Sequence, residues 1–130
     1  MTGTAYVRVA LFLSMAASGE KIRETVGSWE GVTAHPHRFG GVEFRYGRVE
    51  LGHLHGDHLA DLPFPMAAHD ALLAEGRAVR HHVLPRSGWV SRKIETQADV
   101  DDVIELFRLN FERMSRRRGG RSGQDRHILE

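Results

Sequence analysis

The chain has 130 residues, of which 41% are hydrophobic and 27% are charged, the balance of a globular domain rather than of a disordered segment. A chain of this length fits a single domain around one core. Cysteine is absent, which excludes disulfides, thiol catalysis, iron–sulfur clusters and cysteine-based zinc sites. Any metal would therefore need His, Asp or Glu as its ligands.

The net charge of +1 is unevenly distributed. Residues 115–130 contain five arginines against one aspartate and one glutamate, so this end is +3 and the rest of the chain is −2. The arginine, glycine and serine content predicts a basic, disordered tail, and the mildly acidic body predicts no nucleic-acid partner. The longest apolar run, residues 9–13, is far shorter than the roughly 20 residues of a membrane span. We expect a cytoplasmic protein that does not bind membranes.

Three segments have the pattern of helices. Residues 1–17 are either an extension or the start of the first helix, which we predict over 18–29. Proline at position 65 favours a second helix over 66–75. Thr96 with Asp99 forms a capping-box-like start for the last helix. The apolar residues of that helix share one face: Val100, Val103, Ile104, Phe107, Phe111 and Met114.

Five segments have the pattern of strands, joined by short turns, and residues 35–41 have the Pro and Gly content of a loop. The predicted strands are 42–45, 49–55, 58–64, 78–84 and 89–94. Strands joined by short turns are antiparallel, and amphipathic helices can cover one face of such a sheet. The sequence thus predicts an α+β, two-layer domain over 18–114, with an antiparallel sheet of about five strands and N- and C-terminal helices packed on one face.

Histidines are concentrated at the end of the strand predicted over 49–55. Because side chains alternate along a strand, His53 and His55 should form one row that continues the apolar face of Val49 and Leu51. Glu50 should point to the opposite side. This row suggests a strand that runs from beneath the helices into a hollow.

A second histidine pair, His81 and His82, lies in the strand predicted over 78–84. Alternation places one of the two on the side of the first row, without deciding which one. Two imidazoles at i and i+2 can chelate one metal if His58, His82 or Asp61 adds a third ligand. A metal-free acid/base role is the favoured interpretation, because histidine titrates near neutral pH.

Carboxylates and one aromatic residue near these histidines are further candidates. Glu50, Asp57 or Asp61 could orient an imidazole, although Asp57 after a glycine is also typical of a turn. Asp61 stands between apolar neighbours, and we expect it on the solvent face. Trp89 is either a pocket wall or a core residue.

Several motifs resemble the bacterial luciferase-domain family. The resemblance covers about residues 20–114 and lies in the segments 41–44, 50–56, 60–65 and 82–90. At greater distance the chain resembles fungal luciferase, through Glu50, His53 and His55, His82 ahead of a proline, and a strand that begins with Trp89. The order of strands and helices also resembles the MmcQ/YjbR-like fold.

The resemblance implies an oxygenase-like enzyme that needs no cofactor and acts on a small aromatic or enolic substrate, because fungal luciferase oxidises a hispidin-type luciferin with O2 without metal or flavin. It implies His53, His55 and His82 as catalytic residues, acting as base and anion stabilisers. Trp89, Glu50 and Asp61 are then the expected ligand-binding residues. The alternatives are a non-catalytic module that binds a small molecule or partner, and a metal-binding protein built on the histidines.

Overall fold

The structure is a computed structural model that describes residues 18–129, with side chains described for 18–38 and 40–119. The predicted N-terminal extension, residues 1–17, lies outside the described residues. None of the helices within 18–129 has an apolar stretch long enough to cross a lipid bilayer.

The centre of the fold is an antiparallel sheet of six strands in the order β1-β2-β3-β4-β6-β5. The strands are β1 (Val32–His37), β2 (Gly41–Tyr46), β3 (Val49–His55), β4 (Leu59–Pro63), β5 (Val79–Arg80) and β6 (Trp89–Lys93). The helices are α1 (residues 18–27), α2 (Met66–Ala74) and α3 (Gln97–Leu129), and a 3-10 turn (Arg38–Gly40) joins β1 to β2.

Helices α1 and α3 lie side by side and share one core with the sheet. Phe107 of α3 meets Phe44 of β2 edge to face, with ring centroids 5.4 Å apart. Trp29, just after α1, contacts Phe111 of α3 at 5.2 Å. The apolar face of α1 enters the same core through Ile22 and Val26, both fully buried. The predicted α+β fold with N- and C-terminal helices is confirmed, and the apolar stripe of the last helix is what holds the two layers together.

The predicted loop over 35–41 is wrong in its first half, because β1 continues to His37. Pro36 sits within this strand, opposite Val42. A proline lacks the N–H that a central strand needs, but among the described residues β1 is the first strand of the sheet, and proline is tolerated in edge strands. The sheet therefore has six strands where the sequence predicted about five.

The strand predicted over 78–84 is also too long, since β5 ends at Arg80. Beyond it the backbone turns around an imidazole. The N–H groups of Val83 and Leu84 donate to Nδ1 of His81 at 3.2 and 3.1 Å. These backbone donors are satisfied by a side chain and not by a neighbouring strand, which is why the ladder stops.

A β-bulge interrupts β3 at Leu51. Phe44 pairs with Gly52 and Arg45 with Glu50, so Leu51 has no partner in β2. Gly52 has φ 152°, and a Cβ there would lie 2.9 Å from Cε1 of Phe107. Leu51 is fully buried in the core that the helices share, and a Cβ at position 52 would also point to that side. The expected row of Val49, Leu51, His53 and His55 is therefore wrong in its first half.

Helix α3 begins with the predicted capping box. The backbone N–H of Thr96 donates to the carboxylate of Asp99 at 3.0 Å, and the N–H of Asp99 donates to the Thr96 hydroxyl at 3.1 Å. The helix continues past Met114 to Leu129, where the sequence predicted a disordered tail. The guanidinium of Arg118 lies 5.2 Å from the ring centre of Tyr46, so the helix packs on the sheet beyond residue 114.

Candidate functional site

A row of polar side chains crosses the sheet on the face opposite the helices. Glu43 of β2 is paired with His53 of β3, His53 with Asp61 of β4, and Asp61 with Ser91 of β6. Partners in adjacent antiparallel strands point to the same side, so these four side chains lie next to one another. Their chain neighbours Phe44, Leu54, Leu62 and Val90 are fully buried in the core on the other side.

Asp61 is the centre of this arrangement and is completely buried. Its Oδ1 accepts a hydrogen bond from the hydroxyl of Ser91 at 2.5 Å. Its Oδ2 lies 2.8 Å from Nε2 of His55, 3.3 Å from Nε2 of His81 and 3.4 Å from Nε2 of His53. The expectation of a solvent-facing Asp61 is wrong. Strand alternation turns Asp61 away from the core, as expected, but the face to which it points is covered by the imidazoles of His53, His55 and His81.

His53 has a neighbour on each side of its ring. Its Nδ1 lies 3.4 Å from a carboxylate oxygen of Glu50, and its Nε2 lies 3.2 Å from Nε2 of His55. The ring stacks on His37 at 4.0 Å, and Trp89 is 5.4 Å away. The expectation that Glu50 points away from His53 is wrong. The bulge at position 51 adds one residue between them and so brings both to the same face.

The structure brings His81, and not His82, to Asp61. His81 is 9% exposed, and its Nδ1 accepts hydrogen bonds from the backbone N–H groups of Val83 and Leu84, just after β5. An Nδ1 that accepts has no proton, so the ring proton of a neutral His81 is on Nε2, where it can donate to Asp61. His82 is exposed and stacks on the outer side of His81 at 4.8 Å.

We name His53, His55, Asp61 and His81 the histidine–aspartate cluster. The sequence left open whether His81 or His82 lies beside His53 and His55, the resemblance implied His82, and two neighbours, His37 and Ser91, were given no role. Ser91 was detectable in principle, because it alternates with the apolar Val90. His37 was hidden by Pro36, which made the segment look like a loop.

The electrostatics of the cluster follow from two carboxylates, that of Asp61 and that of the neighbouring Glu50. Burial alone would lower the pKa of His53, but hydrogen bonds to Asp61 and Glu50 outweigh this and raise it to about 9. Burial would raise the pKa of Asp61, but hydrogen bonds from His53, Ser91 and His55 hold it well below its usual range. At neutral pH and without another cation, the cluster therefore contains a charged carboxylate and at least one imidazolium.

Two sets of side chains within the described residues have the spacing of metal ligands. The ligand atoms of His53, His55 and Asp61 all lie within 4.8 Å of one another, and so do those of His37, Glu50 and His53. His53 belongs to both sets. The first set is the more buried, because Asp61 has no exposed surface.

A cavity of about 640 Å³ lies beside the cluster and not over it. It is formed by the turn between β2 and β3, the end of β4 and the later part of α3. Four arginines line it: Arg48, Arg113, Arg117 and Arg118. Glu50 lines it too and is the residue that joins this basic cavity to His53. The titratable side chains that could take part in a reaction, the three histidines and Asp61, are in the cluster and do not line this cavity, so we take the cluster as the candidate site.

A family model described as Luciferase domain matches residues 48–110. The matched segment runs from the turn before β3 into α3 and contains every member of the histidine–aspartate cluster. No curated protein and no solved structure matches the chain.

Proposed function

Because the chain belongs to the luciferase-domain family through residues 48–110, we propose that it is an oxygenase-like enzyme for a small enolic or phenolic aromatic compound. The histidine–aspartate cluster is the proposed reaction site. The observation that carries the proposal is the convergence of three imidazoles on one oxygen of the buried Asp61, inside the family segment.

The position of the cluster supports small-molecule chemistry. His55 is the most accessible of its four members, with 32% of its side chain exposed, while Asp61 is inaccessible. A substrate would thus meet the cluster from the side of His55. Trp89, half-buried and 5.4 Å from His53, offers a flat apolar surface against which an aromatic substrate can stack.

The proposed chemistry uses the positive charge that the cluster gathers. An enol or phenol that loses its O–H proton to water becomes an oxyanion, which the cationic side of the cluster stabilises. The electron-rich carbon of that anion then forms a bond to one oxygen atom of O2. The substrate supplies the electrons, and the peroxide anion takes a proton from water. The net reaction adds one O2 to the substrate as a hydroperoxide.

Oxygen consumption tests the proposal. The assay uses the full chain with a panel of hydroxypyrones, catechols and enolised 1,3-diketones. We expect uptake with at least one class, and a loss of about 100-fold or more in kcat/KM for His55→Ala. His82→Ala is the matched control, since it removes a neighbouring imidazole outside the cluster, and should stay within about threefold of wild type. No uptake with any compound, or equal losses in the two variants, would refute the proposal.

One observation favours a second candidate, a module that binds an anionic ligand without turnover. The four arginines around the cavity beside Glu50 provide a positive surface for a carboxylate or phosphate group. This candidate predicts that such ligands raise the melting temperature, that Arg113→Ala and Arg117→Ala remove the effect, and that no oxygen is consumed.

A further inference from the structure

We propose that His53, His55 and Asp61 bind one divalent first-row transition-metal ion. The site is that of the proposed function, and the inference rests on it only for the ion's role, which is to supply the positive charge that faces the substrate oxyanion. Metal binding itself is independent of any reaction and can be measured alone.

The distances between the three ligand atoms carry the inference. Nε2 of His53 and Nε2 of His55 are 3.2 Å apart, and Oδ2 of Asp61 is 3.4 and 2.8 Å from them. Metal–ligand bonds of about 2.1 Å at octahedral or tetrahedral angles separate neighbouring ligand atoms by about 2.9–3.5 Å. An ion at about 2.1 Å from all three atoms would lie about 1 Å out of their plane.

Two of the three ligands, His53 and Asp61, also have an outer partner that fixes their orientation. Nδ1 of His53 faces the carboxylate of Glu50, which is the usual outer contact of a metal-bound histidine. Asp61 is held through Oδ1 by Ser91, which leaves Oδ2 toward the imidazoles. Nδ1 of His81 accepts two backbone N–H groups, so the ring proton of neutral His81 is on Nε2, which lies 3.3 Å from Oδ2 of Asp61. A protonated nitrogen cannot bind a metal ion, so His81 is not a fourth ligand.

The hydrogen-bond pattern of His53 is compatible with an ion at this place. A histidine that donates from Nδ1 to Glu50 has a lone pair on Nε2 when it is neutral. That lone pair would face Nε2 of His55 at 3.2 Å and the carboxylate at 3.4 Å. Three electron-rich atoms this close need either additional protons, as in the imidazolium of the metal-free cluster, or a cation between them, and one metal ion can contact all three together.

The ligand types select the class of ion. Two imidazoles and one carboxylate suit the ions from manganese to zinc, whereas calcium and magnesium prefer oxygen ligands alone. Three protein ligands leave positions open, as in a catalytic rather than a structural site. This inference departs from the cofactor-free chemistry that the family resemblance implies.

The test uses the untagged full chain, stripped with a chelator and titrated with Zn²⁺ by calorimetry and with Co²⁺ by visible absorption. We expect one ion per chain and new cobalt bands in the visible region. His55→Ala should weaken binding by about 100-fold or more, and His81→Ala by about tenfold. His82→Ala, the matched control, should bind like wild type.

The variant His37→Ala decides between the two ligand sets, because His37 stacks on His53 but lies outside the proposed triad. We expect its affinity to stay within about threefold of wild type. No binding by wild type, or full binding by His55→Ala, would overturn the inference, as would loss in His37→Ala alone. Oxygen uptake by the metal-free chain separates the two proposals. If the metal-free chain consumes oxygen as fast as the metal-loaded chain, the ion has no role in the reaction, but the proposed enzyme activity stands. If the chain binds one ion and consumes no oxygen, the metal site stands, but the proposed enzyme activity is refuted.

Discussion

Replacing Asn110 by alanine should reveal how α3 holds the bulge that shapes the site. Asn110 is completely buried, and its side-chain amide donates to the carbonyl oxygens of Leu51 and Pro63, both at 2.9 Å. Leu51 is the residue without a partner in β2, so Asn110 satisfies a carbonyl next to the interruption of the ladder. Its Oδ1 accepts two hydrogen bonds from Arg113, which fixes the amide orientation.

Asn110→Ala removes both donors and leaves two carbonyls without this partner in the interior. An unsatisfied buried polar group costs about 1–3 kcal/mol, so the loss in the free energy of unfolding should be about 2–4 kcal/mol. The matched control is Leu109→Ala, one position earlier on α3, where the side chain is 37% exposed. That change should cost less than about 1 kcal/mol.

Urea unfolding followed by circular dichroism measures both variants. With a slope of about 2 kcal/mol per molar, the Asn110→Ala midpoint should fall by about 1–2 M, with little change in slope. A loss below about 0.5 kcal/mol, or one no larger than that of Leu109→Ala, would refute the role given to this amide.

Three further outcomes follow from the same contacts. Gly52→Ala should lower the free energy of unfolding by about 2 kcal/mol or more in the same urea assay, because φ is positive at this position and the Cβ would lie 2.7 Å from the backbone oxygen of Asp61. The control is Gly27→Ala on α1, where a Cβ would meet no atom within 4 Å, and this change should raise the free energy of unfolding by up to about 1 kcal/mol. Asp99→Ala should cost about 1 kcal/mol at pH 7. Because the backbone N–H of Glu95 and the Arg92 side chain lower the pKa of Asp99 from 3.8 to about 2, that difference should be complete above pH 4 and vanish as the pH falls through 2, as unfolding curves across pH would show. Ser91→Ala should cost about 1–3 kcal/mol in urea, since it removes a donor from the buried carboxylate; a near-neutral effect would contradict that bond.

Periodicity alone identified much of the fold. The apolar stripe of the last helix, its capping box at Thr96 and Asp99, and the row of His53 and His55 all depend on local spacing, which a sequence displays directly. Strand alternation also predicted correctly that Asp61 and the core residue Leu62 point to opposite faces of the sheet. What it could not tell is whether the second face of the sheet is open or covered, and so Asp61 was expected in solvent.

The remaining differences come from long-range pairing. The bulge at Leu51 depends on register with β2, and nothing local in the strand distinguishes a position with a partner from one without. The choice between His81 and His82 depends on where β5 ends, which the imidazole of His81 itself determines by accepting backbone N–H groups. His37 joins the site only because an edge strand tolerates Pro36.

The most direct test of the account compares two aspartates of the β3–β4 hairpin. Asp61→Asn removes the charge on which three imidazoles converge, whereas Asp57→Asn changes a turn residue paired with Arg23 at 3.0 Å. The measurement is kcat/KM for oxygen consumption with the best substrate of the panel, in variants shown to be folded by circular dichroism. We predict a loss of about 100-fold or more for Asp61→Asn and a change within about threefold for Asp57→Asn. A folded Asp61→Asn variant with wild-type turnover would contradict the account.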